Sequence, residues 1–243
     1  MLDWIRCFLS NRTHQCVVVE QCKSTFQKVI SGIPQGSVLG PILFLIYIND
    51  IDSVCCGDSH LQLFADDAKL YSSISIGSPS VSLQHSLDNL ISWANAWQLK
   101  INIGKCAVIS LGSSSLSSDF AYYIDGISIA AHTSQVDLGI TISQDLSFHA
   151  HINNIVCKAR QRVSTLFRGF TSRNHDILRR TFITNVRPTL EYNSVVWSPC
   201  TKHLIDLLEG KQRNFFKRIP SLSSYSYTET CILKLRYFGA QKT

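Results

Sequence analysis

Leu61-Gln62-Leu63-Phe64-Ala65-Asp66-Asp67-Ala68-Lys69-Leu70-Tyr71-Ser72 sets the terms for the rest of the chain. Short strand-forming runs at 61–64 and 68–72 flank two adjacent carboxylates, a pattern that predicts a β-hairpin with Asp66-Asp67 at its turn. Neighbouring carboxylates are costly to dehydrate, so this turn must meet water or cations. A plain solvated corner satisfies that requirement. So does a site for hard divalent cations, which take carboxylate oxygens as ligands.

Working outward, Ser31-Gly32-Ile33-Pro34-Gln35-Gly36-Ser37 is turn-rich and leads into a mostly apolar helix expected over 41–51, where Pro41 is acceptable in a first turn. Leu2, Ile5 and Leu9 recur at helical spacing up to Ser10-Asn11-Arg12. Residues 15–21 and 25–30 read as two strands joined by a short polar turn. Residues 82–99 place Leu83, Leu87, Leu90, Ile91, Ala94 and Trp97 on one helical face. Strands are expected at 106–111, 122–129 and 136–142, with a Ser-rich connection at 113–118. After His149 the pattern becomes helical, over 152–170, 176–185, a segment from Pro188, and 203–218. The fold class is α+β, with mixed elements over 1–148 and helices over 149–243.

The net charge of +6 hides a division between these parts. Residues 1–148 carry 7 Lys and Arg against 12 Asp and Glu, or −5, whereas 149–243 carry 16 against 5, or +11. A nucleic-acid enzyme uses such a split, gathering metal with carboxylates and meeting phosphates with Lys and Arg. A merely uneven surface has the same charges. Hydrophobic residues at 45% supply enough apolar material for a packed core.

Nine cysteines, without a secretory pattern at the start, favour a reducing, intracellular setting, cytoplasmic or nuclear. There is no Cys-x-x-Cys pair, so His149, His151 and Cys157 read as helix-surface and core residues instead of zinc ligands. The apolar run 38–48 is interrupted by Pro41 and falls short of the roughly 20 residues a spanning helix needs. No membrane partner is expected.

Ser31-Gly32-Ile33-Pro34-Gln35-Gly36-Ser37-Val38-Leu39-Gly40-Pro41, with Asn49-Asp50 ending the next helix, closely resembles the motif before the catalytic hairpin in reverse transcriptases of non-LTR retrotransposons. Phe64-Ala65-Asp66-Asp67 looks like the family's aromatic-x-Asp-Asp motif, and Asn102 with Lys105 resembles the next one. Leu138-Gly139-Ile140, then Leu146 and His151, is similar to the primer-side strands and the entrance to the thumb. Trp4-Ile5 and Phe8-Leu9-Ser10-Asn11-Arg12 fit as well, so the resemblance covers nearly the whole chain.

The resemblance implies an incomplete polymerase palm over 1–148, a small mostly antiparallel sheet with packed helices, and an α-helical thumb over 149–243. The parent activity is RNA-directed DNA synthesis by two-metal nucleotidyl transfer, with Mg²⁺, an RNA template, a DNA primer and deoxynucleoside triphosphates. Asp66 would hold metal, with Asp67 as a second ligand or electrostatic neighbour. Pro34, Gln35, Gly36 and Ser37 would lie against template and incoming nucleotide. Lys105 would protonate the departing pyrophosphate. Lys158, Arg160, Arg162 and Arg168 would meet backbone phosphates, with Phe167 and Phe170 either packed or stacked between them.

The resemblance also places another catalytic carboxylate on a strand upstream of the first helix, and a fingers region with it. Asp3 sits on the Trp4 helix and Asp50 ends the helix after the Pro-Gln-Gly turn, so neither takes that place. Little independent synthesis is therefore expected of residues 1–243. The alternative is a catalytically dead remnant that binds nucleic acid through its basic thumb, and a third reading is a globular protein with neither function.

Overall fold

The structure, a computed structural model, describes residues 2–10, 13–29, 32, 36–74, 79–112, 121–172, 174–199 and 201–219. The chain divides into two compact units, one of Met1–Ile74, Ser80–Ile101 and Tyr123–Ile127, the other of the remainder. These units follow packing and do not break at residue 148.

The first unit begins with α1 (Leu2–Leu9), in agreement with its helical spacing. The next segment is the expected pair of strands joined by a turn, with each strand broken into two short pieces: β1 (His14–Gln15) pairs with β4 (Gln27–Lys28), and β2 (Val18–Val19) with β3 (Cys22–Lys23). The run of valines predicts a strand continuing to residue 21. The chain instead reverses at Glu20, which adopts a left-handed φ of 53°. Helix α2 (Leu39–Tyr47) starts two residues earlier than expected, because Ser37 Oγ accepts a hydrogen bond from Gly40 N at 3.1 Å. Pro41 falls in its first turn, where a missing N–H costs nothing. The expected continuation to residue 51 is instead a separate 3₁₀ turn, Ile51–Val54.

Strands β5 (His60–Phe64) and β6 (Asp67–Tyr71) form the predicted hairpin. Helix α3 (Val81–Ala96) is capped by Ser80, whose hydroxyl accepts from Leu83 N. Ile51, Val54 and Leu90 make a small core, joined by Leu61 and Leu70 of the hairpin and by Trp93 and Ile101. Gln84 docks α3 on the backbone of Tyr123, donating to its carbonyl and accepting from its N–H, both at 2.9 Å.

The expected single strands at 106–111, 122–129 and 136–142 are each shorter or broken. Residues of the first form β7 (Ala107–Val108), which pairs in parallel with β10 (Ala130–Ala131). The second is split into β8 (Tyr123–Ile124) and β9 (Ile127–Ser128) by Asp125-Gly126, with φ values of 50° and 75°. The third is split into β11 (Ser134–Asp137) and β12 (Ile140–Ser143) by Leu138-Gly139, with φ values of 45° and 84°. Two successive left-handed residues make a tight hairpin turn. Among the described residues the expected sheet is thus six two-stranded ladders, with four antiparallel pairings and one parallel pairing assigned among them.

The second unit is dominated by α4 (His149–Gly169), α5 (His175–Asn185), α6 (Arg187–Glu191), α7 (Ser194–Trp197) and α8 (Lys202–Lys217). Helix α4 buries Ile152, Ile155, Val156, Ala159, Val163 and Phe167, a stripe at helical spacing. It meets Leu178 and Phe182 of α5 and Leu208, Phe215 and Phe216 of α8 in the main core. The Phe182 and Phe215 rings lie 4.4 Å apart at the centre. Asn174 caps α5 by accepting from the N–H groups of Asp176 and Ile177. Among the described residues no helix is long and apolar enough to cross a membrane.

Candidate active site

The hairpin places both carboxylates at its tip. Phe64 and Asp67 form the last pair of the ladder, leaving Ala65 and Asp66 as the turn, with Ala65 at φ 52°. Directly opposed residues share a face, and successive pairs alternate between faces. Leu61 and Leu70 point into the core, so Phe64 and Asp67 emerge on the opposite face with Gln62, Lys69, His60 and Tyr71. Asp66 and Asp67 are both exposed. The tip therefore keeps its two negative charges in water without a desolvation cost. Lys69, two positions along β6 from Asp67, is not among the residues that the sequence singles out; period-two alternation is the signal that reveals it as a neighbour on that face.

Gly36 is exposed at φ +80°, and a Cβ added there would meet nothing within 4 Å. Ser37 is half-buried and caps α2, so its hydroxyl has a structural duty beside the expected contact with substrate. Pro34 and Gln35 lie outside the described residues. Asp50 accepts a hydrogen bond from Trp93 Nε1 at 3.1 Å, which ties it to α3. Lys105 ends a 3₁₀ turn, Ile103–Lys105, exposed and within the second unit.

The four cations expected to meet phosphate do not form one row. Arg160 and Arg168 line an open depression on α4 with Cys157, Gln161 and Ser164. At 100° per residue, Lys158 and Arg162 fall on the other flank of the buried stripe. There Arg162 donates to the carbonyl of Asn185 at 2.9 Å and to Thr189 Oγ1. The Asn185 carbonyl ends α5, where helical carbonyls lack partners and a cation is favoured. Arg162 is thereby a strut between α4 and the α5–α6 junction, a role that charge in the sequence does not disclose. Phe167 is buried against Phe215 and lies beneath the Arg218 guanidinium at 4.0 Å, whereas Phe170 is exposed.

His151 is buried and accepts a hydrogen bond from Thr141 N at Nδ1, 3.2 Å away. Burial, aided by the positive Lys158, pulls its pKa below the ordinary imidazole value. Cys157 and His149 are exposed, so these three residues are core and surface, as their spacing predicts. Among the described residues no group of three or more His, Cys, Asp or Glu could hold a metal ion. Asp66 and Asp67 offer the hard oxygen donors that Mg²⁺ takes, as part of a ligand set.

Residues 1–162 match the family described as reverse transcriptase (RNA-dependent DNA polymerase). The chain is 30% identical over 234 residues to the RNA-directed DNA polymerase from mobile element jockey of Drosophila melanogaster, covering 92% of this chain and 25% of that protein. It is 28% identical to the jockey counterpart of Drosophila funebris, over 92% of this chain and 26% of that protein. A probable RNA-directed DNA polymerase from transposon BS of Drosophila melanogaster is 27% identical, over 80% of this chain and 23% of its own length. The chain thus spans about a quarter of the relatives it matches. No solved structure matches it.

Proposed function

This chain belongs to the reverse transcriptase family, of the non-LTR retrotransposon kind, and from that premise we propose that it supplies part of the palm and the thumb of an enzyme for RNA-directed DNA synthesis. The observation that carries the proposal is the hairpin tip, where Asp66 and Asp67 stand adjacent, exposed and clear of the core face. Mixed helices and small antiparallel ladders are compatible with a polymerase palm. Residues 1–148 are the palm part and 149–243 the thumb.

Asp66 and Asp67 would hold Mg²⁺, which when bound lowers the barrier to attack by the primer hydroxyl and neutralises the leaving pyrophosphate. Gly36, in its open left-handed turn, lets the backbone approach a nucleotide closely. Pro34 and Gln35 would contact template and incoming nucleotide, while Ser37 holds the start of α2. Lys105 would give a proton to pyrophosphate. Arg160 and Arg168, on the open side of α4, would meet the backbone phosphates of template and primer.

The test replaces the matching quarter of the Drosophila melanogaster jockey polymerase with residues 1–243 and follows primer extension on an RNA template. Extension by the chimera that disappears in Asp66→Ala is the expected result. Extension that survives Asp66→Ala would remove the hairpin tip from the chemistry.

A further inference from the structure

We propose that Tyr192 is a positioning residue, which fixes the Leu138-Gly139 turn to the helical unit and so sets the strands that the polymerase reading, on which this rests, brings to the primer. Although 57% exposed, Tyr192 donates its hydroxyl proton to the Leu138 carbonyl at 3.1 Å, joining residues 54 apart in sequence. Its ring also covers the next residue: a Cβ added to Gly139 would stand 3.4 Å from Tyr192 Cε1. Leu138 meanwhile occupies φ 45°, a conformation costly for a branched L residue and retained only where surrounding contacts enforce it.

The other end of the turn is held independently. Ile140 is buried in the main core, and Thr141 N donates to His151. The His151 ring lies 5.3 Å from that of Trp197, and Trp197 Nε1 donates to the Tyr192 carbonyl at 2.8 Å. Contacts therefore run in a closed circuit from Leu138 through Tyr192, Trp197 and His151 to Thr141. Within that circuit the Tyr192 hydroxyl grips the Leu138 carbonyl directly, so a displacement of the α6–α7 corner carries the turn with it.

Tyr192→Phe keeps the ring and removes the grip, and an exposed hydroxyl is expendable for folding. Gly139→Ala keeps the hydroxyl but crowds the ring and strains φ. Amide hydrogen exchange across 134–143 is compared with that of α8, and affinity is measured by fluorescence anisotropy for an RNA template annealed to a DNA primer and for the same RNA alone. In Tyr192→Phe, exchange across the hairpin should rise about two- to tenfold, the range expected for one lost hydrogen bond, with α8 unchanged. Affinity for the primed template should fall by a similar factor while RNA alone binds as before, and Gly139→Ala should follow the same pattern. Unchanged hairpin exchange would overturn the proposal, as would equal losses on both nucleic acids. Faster exchange with undiminished primed-template affinity would overturn it too, by separating the turn from the primer; the Asp66→Ala result in the chimera would still judge the polymerase reading by itself.

Discussion

Removing Arg162 and removing Arg160 with Arg168 should damage different properties, although all three are cations of one helix. Arg162 donates to the last carbonyl of α5 and to Thr189, so Arg162→Ala leaves a helix end without its cation. Hydrogen bonds from a charged donor contribute about 1.5–3 kcal/mol each when sheltered and less when solvated. Arg162 is exposed, so the pair together should be worth about 1–2 kcal/mol. For a protein of this size that corresponds to a fall of about 2–8 °C in Tm.

Among the described residues Arg160 and Arg168 bridge nothing comparable, and they line an open depression. They are eight positions apart, about 12 Å along the helix, far enough to meet separate phosphates. Each lost phosphate contact flattens the plot of log affinity against log salt by about 0.7–0.9. Arg160→Ala with Arg168→Ala should therefore reduce that slope by about 1.4–1.8 and leave Tm nearly unchanged. Thermal melts followed by circular dichroism, with anisotropy titrations on an RNA–DNA hybrid at several salt concentrations, measure both quantities. If Arg162→Ala flattens the salt slope by about one without lowering Tm, or if the double variant leaves the slope intact, the assignment of these side chains is wrong.

The remaining predictions concern the core, pH and metal. Phe182→Ala, at the centre of the main core, should lower stability by about 3–5 kcal/mol, measured as a shift in the urea midpoint. His151 must be neutral to accept from Thr141, and its folded pKa lies below the unfolded value of 6.5. Its contribution is thus fully present above pH 6.5 and is lost as pH falls through the folded pKa, so the urea midpoint should drop in acid and drop less in His151→Gln. Two Mg²⁺ ions carry +4 against −2 from Asp66 and Asp67, so calorimetry on residues 1–243 should show weak Mg²⁺ binding, and no primer extension should follow from this pair alone; robust extension abolished by Asp66→Ala would contradict the ligand count.

The Asp66-Asp67 hairpin is legible because its two flanking runs each alternate over several residues and the polar pair lies at the reversal, although the turn itself is Ala65-Asp66, one residue earlier than expected, and Asp67 pairs with Phe64. The same logic fails at Asp125-Gly126 and Leu138-Gly139. At Leu138-Gly139 the apolar residues Val136, Leu138, Ile140 and Ile142 continue the expected alternation, and at both places the reversal depends on φ values that only the backbone reveals. Asp-Gly is itself a strong turn signal and could have been used. Leu138-Gly139 gives no such warning, since a leucine at φ 45° follows from the Tyr192 and His151 contacts around it and not from its own preference.

The helical part shows the same division between local and distant causes. Leu204, Leu208 and Phe215 announce α8 by spacing alone, and the buried stripe of α4 does likewise, because amphipathic burial repeats along a helix. Charge carries no equivalent label. Arg160 and Arg162 are two residues apart, about 200° around α4, and that angle sends one to open surface and the other to the end of α5. A count of basic residues predicts an attractive field for nucleic acid, but direct contacts with phosphate need side chains that packing leaves unengaged. Restricting the candidate interface to Arg160, Arg168 and their open stripe makes it smaller than the charge of +11 over 149–243 implies, and gives its salt dependence a definite expected size.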